Sequence, residues 1–124
     1  LLCMSAAYAP RVVEQPDGFP APLPVDWETG VPDLDVFQVW TRLDPVVRAA
    51  ADDAAAAALD QLDLLFLHAG DRDEYHLQLG ARRLSAVLRS RGIAHEHEEF
   101  PGTHRGTSFR FDTSLPKLAR ALSG

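Results

Sequence analysis

The stretch Leu64-Leu65-Phe66-Leu67-His68-Ala69-Gly70-Asp71-Arg72-Asp73-Glu74-Tyr75 changes character at Gly70. Before the glycine it is almost continuously apolar, the pattern of a parallel β-strand covered on both faces. After it come three acids within four residues. Downstream, from His76 to Arg91, Leu77, Leu84, Val87 and Leu88 recur at helical spacing, with Arg82, Arg83, Arg89 and Arg91 on the other faces. Gly92 closes that helix as its C-cap. Ile93 to Phe100 then reads as a second, more polar strand near the sheet edge, ending in the turn Pro101-Gly102-Thr103-His104. Ser114 to Leu122 carries Leu115, Leu118, Ala119 and Leu122, which predicts a terminal amphipathic helix.

Upstream, Asp44-Pro45 reads as an N-cap followed by proline at the first helical position, opening an alanine-rich helix that runs to Leu62. Leu1 to Ala7 is short and apolar and reads as a further buried strand. Between these lie Pro10, Pro16, Pro20, Pro22, Pro24 and Pro32, with Gly18 and Gly30, a density of breakers that excludes regular helix or central strand over 10–35. The large apolar residues Phe19, Trp27, Phe37 and Trp40 make residues 10–43 an ordered excursion lining a pocket rather than a linker. The alternation of strands and helices predicts an α/β fold. Its parallel sheet of about three strands carries helices on both faces, in three layers, as one domain over 1–124.

With 124 residues, 46% of them hydrophobic, the chain can supply one core. A net charge of −6 argues against nucleic acid or an anionic membrane surface as partner. A single cysteine, Cys3, allows no internal disulfide and reads as a buried, inert thiol. No apolar run approaches the length of a membrane span, and no positive n-region marks a signal peptide. The cytoplasm is the expected compartment. The chain opens inside an apolar run without a methionine, so its fold is expected to continue upstream of Leu1.

Both turns follow predicted strands, at the carboxyl edge where open α/β sheets bind ligands. Asp71, Asp73 and Glu74 are three candidates for a carboxylate that orients a histidine; the alternative is that they cap the following helix, whose dipole favours negative charge. His104 is the candidate base. One β–α–β crossover joins the two strands, which brings an acid and His104 within hydrogen-bond reach. His95, His97 and Glu99 would share one face of a strand, a possible start of a zinc site, but the pattern reads better as a solvated edge strand without metal. His76 is a weak candidate for pocket lining, and Arg105, Phe109 and Arg110 for bordering a substrate.

The strand Leu64 to Ala69, the turn through Tyr75, Leu84-Ser85-Ala86-Val87-Leu88, Gly92-Ile93, His95-Glu96, Phe100-Pro101-Gly102-Thr103-His104 and Leu115-Pro116 form a recognisable series. Across these residues the chain resembles the C-terminal part of the esterase D branch of the α/β hydrolases, which includes S-formylglutathione hydrolase and enterochelin-esterase-like proteins. Val39-Trp40 and Leu43-Asp44-Pro45 extend the resemblance upstream. It implies a partial α/β-hydrolase fold, with Asp73 as the G-x-x-D acid and His104 as the catalytic histidine. It also implies hydrolysis of a small-molecule carboxylic ester or thioester through an acyl-enzyme, with no metal or organic cofactor. The serine of G-x-S-x-G and the oxyanion hole are absent from these residues, and Ser5 lacks the glycines that a nucleophile elbow needs. The alternative is a non-catalytic, truncated α/β module that self-associates through an exposed sheet edge at Leu1–Ala7.

Overall fold

Helices predominate, and the sheet is small. The computed structural model describes residues 2–9 and 21–123. Its elements run α1 (Leu2–Tyr8), α2 (Leu34–Leu43), α3 (Pro45–Ala51), α4 (Asp53–Asp60), β1 (Phe66–Gly70), α5 (Leu77–Ser90), β2 (Glu96–Phe100), a 3₁₀ turn (Thr107–Arg110) and α6 (Phe111–Leu122). The chain divides into two compact units, 1–47 and 48–124. It is a mixed α/β protein with six helices and one two-stranded parallel sheet among the described residues.

In the first unit a helix over Leu2–Tyr8 stands where a strand over Leu1–Ala7 was expected. The reason is local: Leu-Cys-Met-Ser-Ala-Ala-Tyr contains no β-branched residue and is rich in strong helix formers, and a helix satisfies its own backbone without a partner strand. The three-strand sheet is therefore corrected to two strands, and the unpaired apolar edge expected at Leu1–Ala7 does not exist. Ser5 is fully buried in α1. The placement of the Cys3 side chain and of 10–20, with Pro10, Pro16, Gly18, Phe19 and Pro20, lies outside the described residues. From Ala21 onward the excursion is ordered: Val25 and Pro32 form an antiparallel bridge around a turn. Asp26 holds that turn by accepting from the Thr29 hydroxyl and amide and from the Glu28 amide. The Thr29 bonds, above all, keep the Asp26 pKa below its ordinary value. The end of the excursion is helical, because Asp33 caps α2 by accepting from the amides of Asp35 and Val36. Trp40 packs against Tyr8 at 5.5 Å, whereas Trp27, expected to be covered, is 66% exposed.

The alanine-rich helix is two helices. Asp44 caps α3 as expected, but Asp52 leaves the helical conformation and accepts from the amides of Ala54 and Ala55, starting α4 afresh. An Asp competing for backbone donors outweighs alanine propensity at that point. In the second unit β1 and β2 pair in parallel, from Phe66 opposite Glu96 to Gly70 opposite Phe100, with α5 as the crossover packed on both. The core is the cluster of Ala56, Leu88 and Ile93, with Leu59, Leu65, Leu67 and Leu84 around it. The terminal helix starts at Phe111, three residues before the expected Ser114, and its Leu115, Leu118 and Leu122 are exposed. No helix among the described residues is long and apolar enough to cross a membrane.

Candidate active site

Parallel pairing sends both strands into their turns at the same end of the sheet, and backbone hydrogen bonds lock the two turns together. The Asp71 amide donates to the Phe100 carbonyl at 2.9 Å, and the Arg72 amide to the Gly102 carbonyl at 2.9 Å. This approach requires glycine at position 70: a Cβ there would sit 2.6 Å from the Gly102 oxygen and 2.8 Å from the Thr103 oxygen, both main-chain atoms. Gly70→Ala is therefore expected to cost about 1–3 kcal/mol and to push the turns apart. A urea midpoint unchanged from the parent would overturn that expectation.

The three acids after Gly70 have three different roles. Asp71 accepts from the Gly102 amide at 3.0 Å and so staples one turn to the other. Glu74 accepts from the His104 amide at 3.0 Å, fixing the backbone that carries the histidine. That bond, with a second from the Glu74 amide, holds the Glu74 pKa below its ordinary value despite burial and the neighbouring Asp73 charge. Asp73 reaches the imidazole itself, with Oδ2 3.1 Å from His104 Nδ1. Its Oδ1 accepts from the Tyr75 amide at 2.8 Å. None of the three is the N-cap residue of α5, which begins only at Leu77 after His76 at φ 58°, but the Asp73 carboxylate also faces the Leu77 amide and so serves the start of that helix in part.

The Asp73 carboxyl is almost completely buried (4% exposed), while the His104 side chain is 44% exposed. Burial pushes the Asp73 pKa up. The Tyr75 amide, the hydrogen bond and charge of His104, and the Leu77 amide together outweigh it and leave the pKa below the ordinary carboxylate value. An ionised carboxylate only accepts, so Nδ1 of a neutral His104 carries the proton and Nε2 presents its lone pair. Nε2 has no hydrogen-bond partner among the described residues. The Tyr75 ring packs edge-on against the imidazole at 4.9 Å and limits its tilt. The arrangement is a buried acid, an oriented imidazole and an outward base nitrogen, which can accept a proton from a hydroxyl or water brought to it.

No family model matches the chain, and no curated protein matches it.

The resemblance pairs Asp73 with His104, but nothing in the sequence marks the parts played by Glu74 and Tyr75, which depend on how the His104 turn folds back. The histidines expected on the second strand are placed differently from that expectation. His95 lies before β2, not within it: Nδ1 is 3.0 Å from the Ile93 carbonyl and Nε2 is 2.8 Å from Ser85 Oγ. Glu99 is taken by Arg82 in a two-pronged bond at 2.6 and 2.7 Å, which lowers the Glu99 pKa and raises that of Arg82. His97 stands 3.9 Å from Glu99. Among the described residues no group of three or more His, Cys, Asp or Glu side chains is arranged to hold a metal ion. Arg110, a candidate for bordering a substrate, is instead buried: its guanidinium lies over the Phe100 ring at 4.7 Å and pairs with Glu98 at 2.6 Å. Phe109 meets the Phe100 ring edge-on at 5.6 Å, and Arg105 is exposed.

Proposed function

We propose that this chain supplies the base and the orienting acid for hydrolysis of a small-molecule carboxylic ester or thioester, as the C-terminal part of an α/β-hydrolase domain. The observation that carries the reading is the 3.1 Å contact between buried Asp73 and half-exposed His104. In this scheme Nε2 of His104 takes the proton of a serine hydroxyl as its oxygen attacks the ester carbonyl, then returns that proton to the leaving alcohol or thiol. The same nitrogen next activates water against the acyl-serine. Asp73 holds the tautomer and stabilises the transient imidazolium. The scheme needs no metal or organic cofactor. The serine belongs to a G-x-S-x-G segment outside these 124 residues. A three-layer hydrolase sheet and a cytoplasmic location belong to the same proposal.

The test uses the complete gene product that contains these residues, treated with a fluorophosphonate probe and assayed on p-nitrophenyl acetate. Labelling of one serine in a G-x-S-x-G turn, lost in His104→Ala with an unchanged circular dichroism spectrum, is the expected result. A product without such a serine, or equal labelling of the variant, overturns the reading. A second reading, a non-catalytic module that acts by association, is favoured by the exposed Leu115, Leu118 and Leu122 of α6. A product that sediments as a dimer and neither labels nor hydrolyses selects it.

A further inference from the structure

At the other end of β2 from His104 lies a cleft of about 460 Å³ lined by Ser85, Arg89, Gly92, Ile93, Ala94, His95 and His97. It contains a second histidine held in a defined state. The Ile93 carbonyl can only accept, so His95 Nδ1, 3.0 Å away, carries the proton of the neutral ring. Nε2 then presents its lone pair to Ser85 Oγ at 2.8 Å, and the hydroxyl donates to it. Nucleophile, base and orienting acceptor thus stand in the order that activates a serine, with a main-chain carbonyl in the place a carboxylate takes elsewhere. Ser85 is 2% exposed and lines the cleft, so an ester or a water reaches its hydroxyl only through that opening.

Three further observations point to a ligand. Arg89 lines the cleft and makes no ion pair among the described residues, so its charge is available to an anion. His97 Nε2 is buried without a hydrogen-bond partner among those residues, with the Glu99 carboxylate 3.9 Å away, which leaves room for a ligand group to complete its bonding. The amides of Ala94 and His95 also donate to no group among them, so the loop that carries the base also carries unused N–H donors.

We propose that this cleft is a second, self-contained ester-reactive site, in which Ser85 is acylated by a small ester bearing a negative charge that Arg89 receives. Ser85 Oγ bonds to the acyl carbon while its proton passes to His95 Nε2; the carbon–oxygen bond to the alcohol breaks, and the alcohol leaves with that proton. Water then attacks the acyl-serine with His95 as base, releasing the acid and restoring the hydroxyl. The site shares no residue with Asp73 and His104, so either proposal can fail alone.

The complete protein is incubated with the mono-p-nitrophenyl ester of succinic acid, and in parallel with neutral p-nitrophenyl acetate, and the adduct is mapped by peptide mass spectrometry. A succinyl group on Ser85 is expected, absent from His95→Ala. Arg89→Gln is expected to lower the ratio of succinylation to acetylation at Ser85 at least about tenfold. An unmodified Ser85 in the parent protein overturns the proposal, as does an adduct that forms equally fast in His95→Ala. Either result leaves Ser85 and His95 as a structural tie between α5 and the start of β2. Because the adduct is mapped on the parent protein, the outcome stands even where a variant fails to fold.

Discussion

Asp73→Asn, made in the complete gene product, is expected to lower kcat for ester hydrolysis by on the order of 10⁴ with little change in KM. The side chain keeps its size, so the loss is one of charge and proton placement. An amide at this position can turn its NH₂ toward His104 Nδ1, which forces the imidazole proton onto Nε2, the atom that has to accept one. The transient imidazolium also loses the only carboxylate in contact with its ring among the described residues. A kcat within a few-fold of the parent would remove Asp73 from the mechanism. The same substitution has a separate signature in stability. The folded-state pKa of Asp73 lies below its ordinary value, so ionised Asp73 stabilises the fold above the unfolded-state pKa. That contribution is lost as pH falls through the lower, folded-state pKa. Asp73→Asn is therefore expected to flatten the acid limb of the stability profile, which urea midpoints measured from neutral pH downward would show.

Leu88→Ala is expected to destabilise the second unit by about 2–5 kcal/mol. Leu88 has no exposed surface and lies at the centre of the cluster that joins α4, α5, β1 and the segment leading into β2. Truncation removes its transfer free energy and leaves a cavity among Ala56, Ile93, Leu65 and Leu67 that small neighbours such as Ala56 cannot fill. The fall in Tm is expected to be roughly 10 °C or more, because a unit of this size has a small unfolding entropy. A shift of only a degree or two would mean that the cluster is not the principal core. The substitution lies away from the two turns, so at temperatures where the variant stays folded His104 keeps its hydrogen bond to Asp73. The imidazole proton resonance reports on that bond.

Each feature legible in the sequence rested on a local cause. The change at Gly70, the helical spacing of Leu77, Leu84 and Leu88, the Asp44 cap and the glycine after α5 all lie in short stretches whose physics needs no distant partner. The two turns belong here too, because β1, α5 and β2 are consecutive and a single crossover leaves few ways to arrange them. The misreadings have an equally definite origin. Leu1–Ala7 is apolar enough for a strand or a helix, and only its lack of β-branched residues favours the helix that forms. The alanine run gave no sign that Asp52 would turn its carboxylate on the backbone and split it.

By itself, the sequence determined that an acid and a histidine end neighbouring parallel strands, and that no G-x-S-x-G nucleophile accompanies them among these residues. Only the tertiary structure decided what each of the three acids does. Asp71, Asp73 and Glu74 are chemically alike and nearly adjacent; their assignment depends on where the Pro101–His104 turn folds back, which is set by Gly102 and by the backbone approach that Gly70 permits. The pairing of Ser85 with His95 was hidden for the same reason. It joins residues ten apart in the chain through the reversal at Gly92, and no periodicity in the sequence records where two side chains meet after the chain has turned.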